Sequence, residues 1–274
     1  MDKQSATPSP TLSPTSASGE LVTRELREGI AIISLNRPEL HNAVSDESRD
    51  QLHDAFVWAE ANVEARCILV RGNGKSFCSG RDTRTLGNRA AGENHAARIS
   101  RSQAVRLHHM AISKPVVGAI QGAAIGVGAE LALALDFRVA ADNLKLALPE
   151  VNFGLVVDTG SSVLVTAMAG PSRAKWLLMS GEIIGAQQAL TWGLVDWVVP
   201  LAELEEKAMS VARTLASKPP HAMAMAKALV DDISEADLRA GLKRELLSQI
   251  VLYEGHEIKA VREARLAKAR QGQK

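Results

Sequence analysis

Three carboxylates stand where a charge is costly. Glu130 interrupts the apolar run Val116 to Leu135, Glu150 follows Pro149, and Asp158 lies eight residues beyond Glu150. A charged side chain in apolar surroundings destabilises unless it is paired or used. Two acids sharing one small pocket can hold different protonation states at neutral pH, so that one gives a proton while the other takes it. Each also has a plain structural use. Glu130 could be the acid of a helix first turn, Glu150 a capping residue, and Asp158 the N-cap of a helix beginning at Thr159–Gly160.

A second feature with chemistry in it is Gly122–Ala123–Ala124–Ile125–Gly126–Val127–Gly128, which follows a strand-like run and opens a helix. Such a turn can present amides to a dinucleotide pyrophosphate. It can also serve only to let a strand and a helix approach closely. A third use is to stabilise an oxygen whose negative charge develops during a reaction. More than a hundred residues precede the turn, and the single tyrosine, Tyr253, has Glu257 four positions later instead of the lysine a short-chain reductase needs. Both facts weigh against the dinucleotide. For a thioester, removing an α-proton or adding to the β-carbon puts charge on the carbonyl oxygen, and the Val127 N–H is placed to receive it.

Other reactive residue types form no constellation. His108 and His109 are adjacent and face different ways on a helix, and the other five histidines are scattered. Cys67 and Cys78 have neither metal spacing nor a secreted disulfide pattern, which suits reduced, packed thiols in a cytoplasmic protein. Trp176, Trp192 and Trp197 flank apolar runs and read as core. Arg262, Arg265, Lys268 and Arg270 read as a solvated basic face.

These residues need a scaffold, and the hydrophobic pattern supplies one. Leu21 to Leu35 reads as a strand pair. Ser45 caps a helix from Asp46 through Ala61 with an acidic first turn. Cys67–Arg71, Val116–Ile120 and Phe137–Ala141 read as buried strands, and Gly128–Leu135 as a helix. Arg173–Ser180 and Ala186–Trp192 have helical spacing, the second ended by Gly193, and Leu194–Val199 is a last strand. Strands alternating with helices predict an α/β class with a mostly parallel sheet. From Leu201 onward the pattern is helical, with Leu204, Ala208, Val211, Ala212 and Leu215 on one face. The expected organisation is a disordered Ser/Thr/Pro-rich segment over 1–19, an α/β core over 20–200 and a helical region over 201–274. The stretch from Thr83 to Leu107 is expected to be variable and mobile.

With 274 residues, 46% of them hydrophobic, the chain can bury a large core. A net charge of +1 gives no reason to expect nucleic acid or an anionic membrane as partner. The run Val116–Leu135 carries Gln121, Glu130 and four glycines and has no aromatic belt, so it reads as a buried strand–turn–helix.

Five segments in order resemble the crotonase (enoyl-CoA hydratase/isomerase) superfamily: Asn36–Ala43, Gly74–Asp82, Lys114–Asp136, Leu148–Gly154 and Ala189–Val195. The match runs over roughly Leu21 to Pro200. It implies a crotonase-like spiral of ββα units, a helical C-terminal region that trimerises, and an assembly that is a homotrimer or a dimer of trimers. It implies an oxyanion hole made by the backbone amides of Arg81 and Val127, with CoA wrapped by Ser79, Arg81, Asp82 and Thr83. Arg265 stands where many members carry an adenine-contacting Phe, and their Lys-Pro-x-Phe-like ending is absent.

Glu130 and Glu150 match the two glutamates of hydratases, one activating water and the other protonating the α-carbon. Hydratases usually have glycine at position 158. The run Pro149–Asp158 is closest to dienoyl-CoA isomerases, whose Glu and Asp shuttle a proton between the α-carbon and a distant carbon. Those enzymes tend to carry Asp at position 130. Aroyl-CoA dehalogenases use an aspartate at position 158 but a tryptophan at 150. The expectation is therefore an acyl-CoA enzyme, isomerase or hydratase, needing no metal or redox cofactor, with CoA arriving as part of the substrate. The alternative is a non-catalytic acyl-CoA-binding protein that keeps the fold.

Overall fold

The computed structural model describes residues 19–82 and 94–255, together with 263, 264 and 267. The lead up to residue 18, Thr83, Arg262, Arg265, Lys268 and Arg270 lie outside the described residues.

In chain order the elements are β1 (Val22–Arg27), β2 (Ile30–Leu35), α1 (Asp46–Ala61), β3 (Cys67–Gly72), α2 (His95–Ala111), β4 (Val116–Ile120), β5 (Ala123–Ile125) and α3 (Val127–Leu133). They continue as β6 (Phe137–Ala141), β7 (Lys145–Ala147), α4 (Ser161–Ala169), α5 (Pro171–Ser180), β8 (Ile184–Gly185), α6 (Ala186–Thr191), β9 (Trp197–Val199), α7 (Leu204–Ala216) and α8 (Pro220–Glu254). The main sheet has the order β1-β2-β3-β4-β6-β9, antiparallel only between β1 and β2. A small sheet, β5-β7-β8, stands beside it.

The two-residue period of a strand sorts the main sheet's side chains onto opposite faces. Ile33, Ile68, Val70 and Ile120 join the larger core with α1, α3 and α6. Ile30, Ile32, Leu69, Val117 and Val139 meet Leu204, Ala208, Met209 and Ala212 of α7. Parallel strands covered on both faces read as continuous apolar runs, and β2 is buried at every residue. α1 starts where the sequence places it, because Ser45 and Ser48 form a reciprocal cap between their side chains and amides.

Several expectations need correction. The glycine turn is not one loop: its middle is β5, pairing in parallel with β7. The last strand is shorter than Leu194–Val199, although Leu194 and Val195 are buried. Of the segment Thr83–Leu107, residues 83–93 lie outside the described residues, and the rest forms most of α2, capped by Asn94 Oδ1 on the Ala97 amide at 2.7 Å. Trp176 is 53% exposed and is not core, whereas Trp192 and Trp197 pack at the core's edge beneath Arg173 and Lys207. No described helix is long and apolar enough to cross a membrane.

Candidate active site

The three carboxylates, Ser79 and the two residues expected to supply oxyanion amides converge on one cavity. Segment 77–82 runs from the main sheet past the start of α3, held on one side by Phe77 N–H to Gln121 O (2.7 Å), Cys78 N–H to Ala123 O (2.8 Å) and Ile125 N–H to Cys78 O (3.0 Å). On its other side Val44 N–H donates to Gly80 O (2.8 Å) and Asp82 N–H to Val44 O (2.9 Å). That register turns the Arg81 N–H away from Val44. Val127 is the first residue of α3, so its amide has no partner within the helix. Both residues line a cavity of about 170 Å³. Neither amide has a hydrogen-bond partner among the described residues.

Two glycines make this arrangement possible. Gly126 precedes α3 at φ 54°, ψ −124°, a conformation glycine tolerates and other residues strain to adopt. At Gly128 an added Cβ would lie 2.3 Å from Cys78 O, so the helix can approach segment 77–82 only with no side chain there.

Glu130, Glu150 and Asp158 all line the same cavity. Glu130 is 1% exposed. Its Oε1 accepts long hydrogen bonds from the Asp158 amide (3.3 Å) and the Thr159 amide (3.2 Å). Burial, followed by Asp158 and Glu150, holds its carboxyl well above the usual carboxylate range. The two amides favour the ionised form, but at these lengths they do not outweigh full burial. Glu150 is half-buried, and its Oε2 is enclosed with no partner among the described residues. Burial pushes it up to about 7. A Cβ on Gly126 would sit 3.2 Å from Glu150 Oε1, so this carboxyl lies beside the glycine turn. Asp158 is also pushed up by burial, against the pull of Gln249, Arg98 and Arg106.

Asp158 is not a helix cap. α4 begins at Ser161 after Gly160, and its amides are capped from outside: Glu245 of α8 accepts from Gly160 N–H (2.7 Å) and Ser162 N–H (2.9 Å). Gln249, one turn further along α8, clasps Val156 through N–H to Oε1 (3.1 Å) and Nε2 to O (3.0 Å), and its Nε2 lies 3.3 Å from Asp158 Oδ2. From α2, Gln103 Nε2 donates to Asp158 O and Leu242 O, each at 2.9 Å. Sequence reasoning missed these three residues. Their partners are mostly backbone groups 55 to 139 positions away, and the only available signal was a polar side chain recurring on a helix face that ought to be apolar.

Of the expected CoA contacts, Ser79 and Arg81 line the cavity. The Arg81 guanidinium turns aside to Asp46 (2.9 Å) and does not block it. Asp82 is 6% exposed, lies 3.5 Å from Arg37 and is absent from the cavity wall. Among the described residues no group of three or more His, Cys, Asp or Glu is arranged to hold a metal ion.

Comparison with known proteins identifies the family. The family model described as enoyl-CoA hydratase/isomerase matches residues 25–267. A crotonyl-CoA hydratase of Syntrophomonas wolfei is 31% identical over 227 residues, covering 82% of this chain and 87% of the relative. A 1,2-epoxyphenylacetyl-CoA isomerase of Escherichia coli is 30% identical, covering 82% and 88%. Among solved structures, an enoyl-CoA hydratase/isomerase from Pseudoalteromonas atlantica superposes with a TM-score of 0.82 at 27% identity, covering 90% of this chain and 97% of that one. The chain belongs to the enoyl-CoA hydratase/isomerase family.

Proposed function

We propose that the chain isomerises a dienoyl-CoA whose double bonds lie beyond the α-carbon, by a proton shuttle. The Arg81 and Val127 amides take the thioester oxygen. Glu150, beside the glycine turn, removes the α-proton in its ionised form, and the released electrons delocalise into the enolate held by the two amides. Asp158, protonated, delivers a proton to a carbon further along the chain, the double bonds shift, and the two carboxyls have exchanged states. A Glu150 titrating near 7 suits this work, because it is both available as a base and able to release the proton again. The observation that carries the reading is Asp158 itself: it lines the cavity with Glu150 and is excused from capping a helix.

Hydration of an enoyl-CoA is the second reading, supported by Glu130 sharing the cavity with Glu150. A spectrophotometric assay against a 3,5-dienoyl-CoA and crotonyl-CoA, with Glu150→Gln and Asp158→Asn, separates the two. Diene turnover lost in both variants supports the shuttle. Crotonyl-CoA hydration that survives Asp158→Asn but not Glu150→Gln makes hydration the reaction. Binding without turnover of either substrate leaves an acyl-CoA-binding protein.

Both reactions move only protons and water, so the proposed chemistry calls on no metal or redox group, and CoA enters with the substrate. We assign Ser79 and Arg81 to the CoA moiety, with Asp82 holding their loop through Arg37. Exposed apolar side chains on α5 and α8, among them Trp176, Met179, Leu229 and Val251, support self-association, for which we propose a trimer or a dimer of trimers. Two free, buried cysteines support a cytoplasmic setting.

A further inference from the structure

Helix α2 buries the wrong kind of face. Its inward residues are Arg98, Ile99, Gln103, Arg106 and His109, so four of the five are polar or charged. A helix normally turns an apolar stripe inward, and a buried cation is costly unless it is paired or has a ligand. Three of these side chains have partners. Gln103 ties α2 to Asp158 and α8. His109 stacks on Phe56 with ring centroids 4.0 Å apart and meets His53 at 3.3 Å. Arg98 also interacts with neighbouring groups.

Arg106 differs. It is 8% exposed, its Nε and Nη1 have no hydrogen-bond partner, and it makes no ion pair among the described residues. It lines a second cavity of about 100 Å³, whose wall mixes apolar groups such as Leu52, Ile99, Val105 and Leu131 with Arg49, Arg81, Arg98 and Asp158. That cavity shares Arg81, Val127, Asp158 and Tyr253 with the first one. An acyl chain whose thioester lies against the Arg81 and Val127 amides would thus run on into a passage lined by four arginines, of which Arg49 and Arg81 are already paired with Asp46 and Asp50 of α1.

We propose that Arg106, assisted by Arg98, binds a carboxylate on the far end of the acyl chain, so that the substrate is a dicarboxylic acyl-CoA. This rests on the acyl-CoA reading of the site and specifies its substrate class. A guanidinium offers a planar fork that matches a carboxylate in two parallel hydrogen bonds, and in a buried site such bonds discriminate strongly against a chain lacking the acceptor. The neighbouring acids oppose a substrate anion less than their number suggests, because burial shifts Glu130, Glu150 and Asp158 towards their neutral forms. A competing role for Arg106 is as a counter-charge that tunes Glu130 and Asp158. It would affect every acyl-CoA alike, and that difference decides the matter.

The test is calorimetric binding of succinyl-, glutaryl- and adipyl-CoA against butyryl-, pentanoyl- and hexanoyl-CoA, chain length by chain length, with crotonyl-CoA turnover measured on the same enzyme. One dicarboxylic chain should bind at least about tenfold more tightly than its neutral counterpart. The ratio should collapse towards one in Arg106→Gln and be intermediate in Arg106→Lys, which keeps the charge and loses the fork. If the Gln variant does not fold, the Lys variant carries the comparison. The absence of preference at every length, or a ratio unchanged in the variants, overturns the proposal while acyl-CoA binding and crotonyl-CoA turnover leave the parent reading intact. Equal weakening of charged and neutral chains assigns Arg106 to tuning and also overturns it. Failure of all six thioesters to bind removes the parent reading, and this one with it.

Discussion

Replacing Glu150 by Gln should abolish turnover and, at alkaline pH, make the protein more stable. The Glu150 carboxyl is raised by burial from 4.5 to about 7. Between those values the folded protein binds a proton that the unfolded chain has already released, so unfolding becomes easier as pH rises. The stabilisation of a raised acid is present in full below 4.5 and is lost by the time pH passes about 7. At about 1.4 kcal/mol for each pH unit, the window from 4.5 to about 7 corresponds to about 3 kcal/mol, an upper value because part of the side chain still meets water. Gln keeps the shape of the protonated acid and cannot ionise. Wild type and variant should therefore unfold at similar urea concentrations near pH 5 and diverge up to pH 8, the variant ending more stable by as much as about 3 kcal/mol. Taking the difference between the two proteins at each pH cancels every other titrating group except the acids in contact, which relax in the same direction. In parallel, wild-type kcat/KM should rise through pH 7 if Glu150 acts as the base. A stability difference that stays constant from pH 5 to 8 would refute the reasoning, because Glu150 would then ionise as an ordinary surface acid.

Three further outcomes can be checked on the same preparations. Gly128→Ala places a Cβ 2.3 Å from Cys78 O and 2.8 Å from Cys78 Cβ, so thermal unfolding should show a loss of about 1–3 kcal/mol and kcat should fall as the two amides separate. Glu245→Ala uncaps α4 and frees the segment carrying Asp158, costing about 1–2 kcal/mol by urea unfolding and lowering kcat more than it raises KM. Lys114→Met removes three bonds of 2.7–2.8 Å from Nζ to the Ala59, Glu60 and Asn62 carbonyls at the end of α1. It should cost about 1–3 kcal/mol in the same assay and leave kcat/KM unchanged, because nothing in the cavity depends on it.

Which features could be read from the sequence follows from how local their causes are. α1 was legible to the residue because its cap is the next side chain and its stop is a loss of periodicity. Glu130 was legible because a charge inside an apolar run has few innocent explanations. β5 was not, since three residues show no period and exist as a strand only through pairing with β7 and the bridge at Cys78. The extent of α2 escaped, beyond the helical turn at His108–His109, because the stripe that reveals a helix is apolar and its inward face is mostly Arg, Gln and His. The capping alternative for Asp158 failed for a similar reason. The cap it would have supplied comes from Glu245, more than eighty residues away, and no local pattern announces a donation from another helix.

That distant cap also bears on where the site ends. Leu238 and Leu242 of α8 are buried, and a Cβ on Gly160 would lie 3.0 Å from Leu238 Cδ1, so the helix rests directly on the turn that follows Asp158. Glu245 and Gln249 then hold backbone groups on both sides of Asp158, and Gln103 holds its carbonyl. An acid raised by burial is an unfavourable element that relaxes wherever it can reach water. Asp158 can keep its place in the cavity only if the segment carrying it is pinned, which is what the amide side chains of Gln103 and Gln249 and the Glu245 cap provide. Glu245 is itself raised by burial and opposed by the two amides it caps, so the fixture weakens if that carboxyl takes up a proton. On the proposed shuttle, the helical stretch after residue 200 is therefore a working part of the site: α7 covers the sheet that leads into the glycine turn, and α8 holds the segment that carries Asp158.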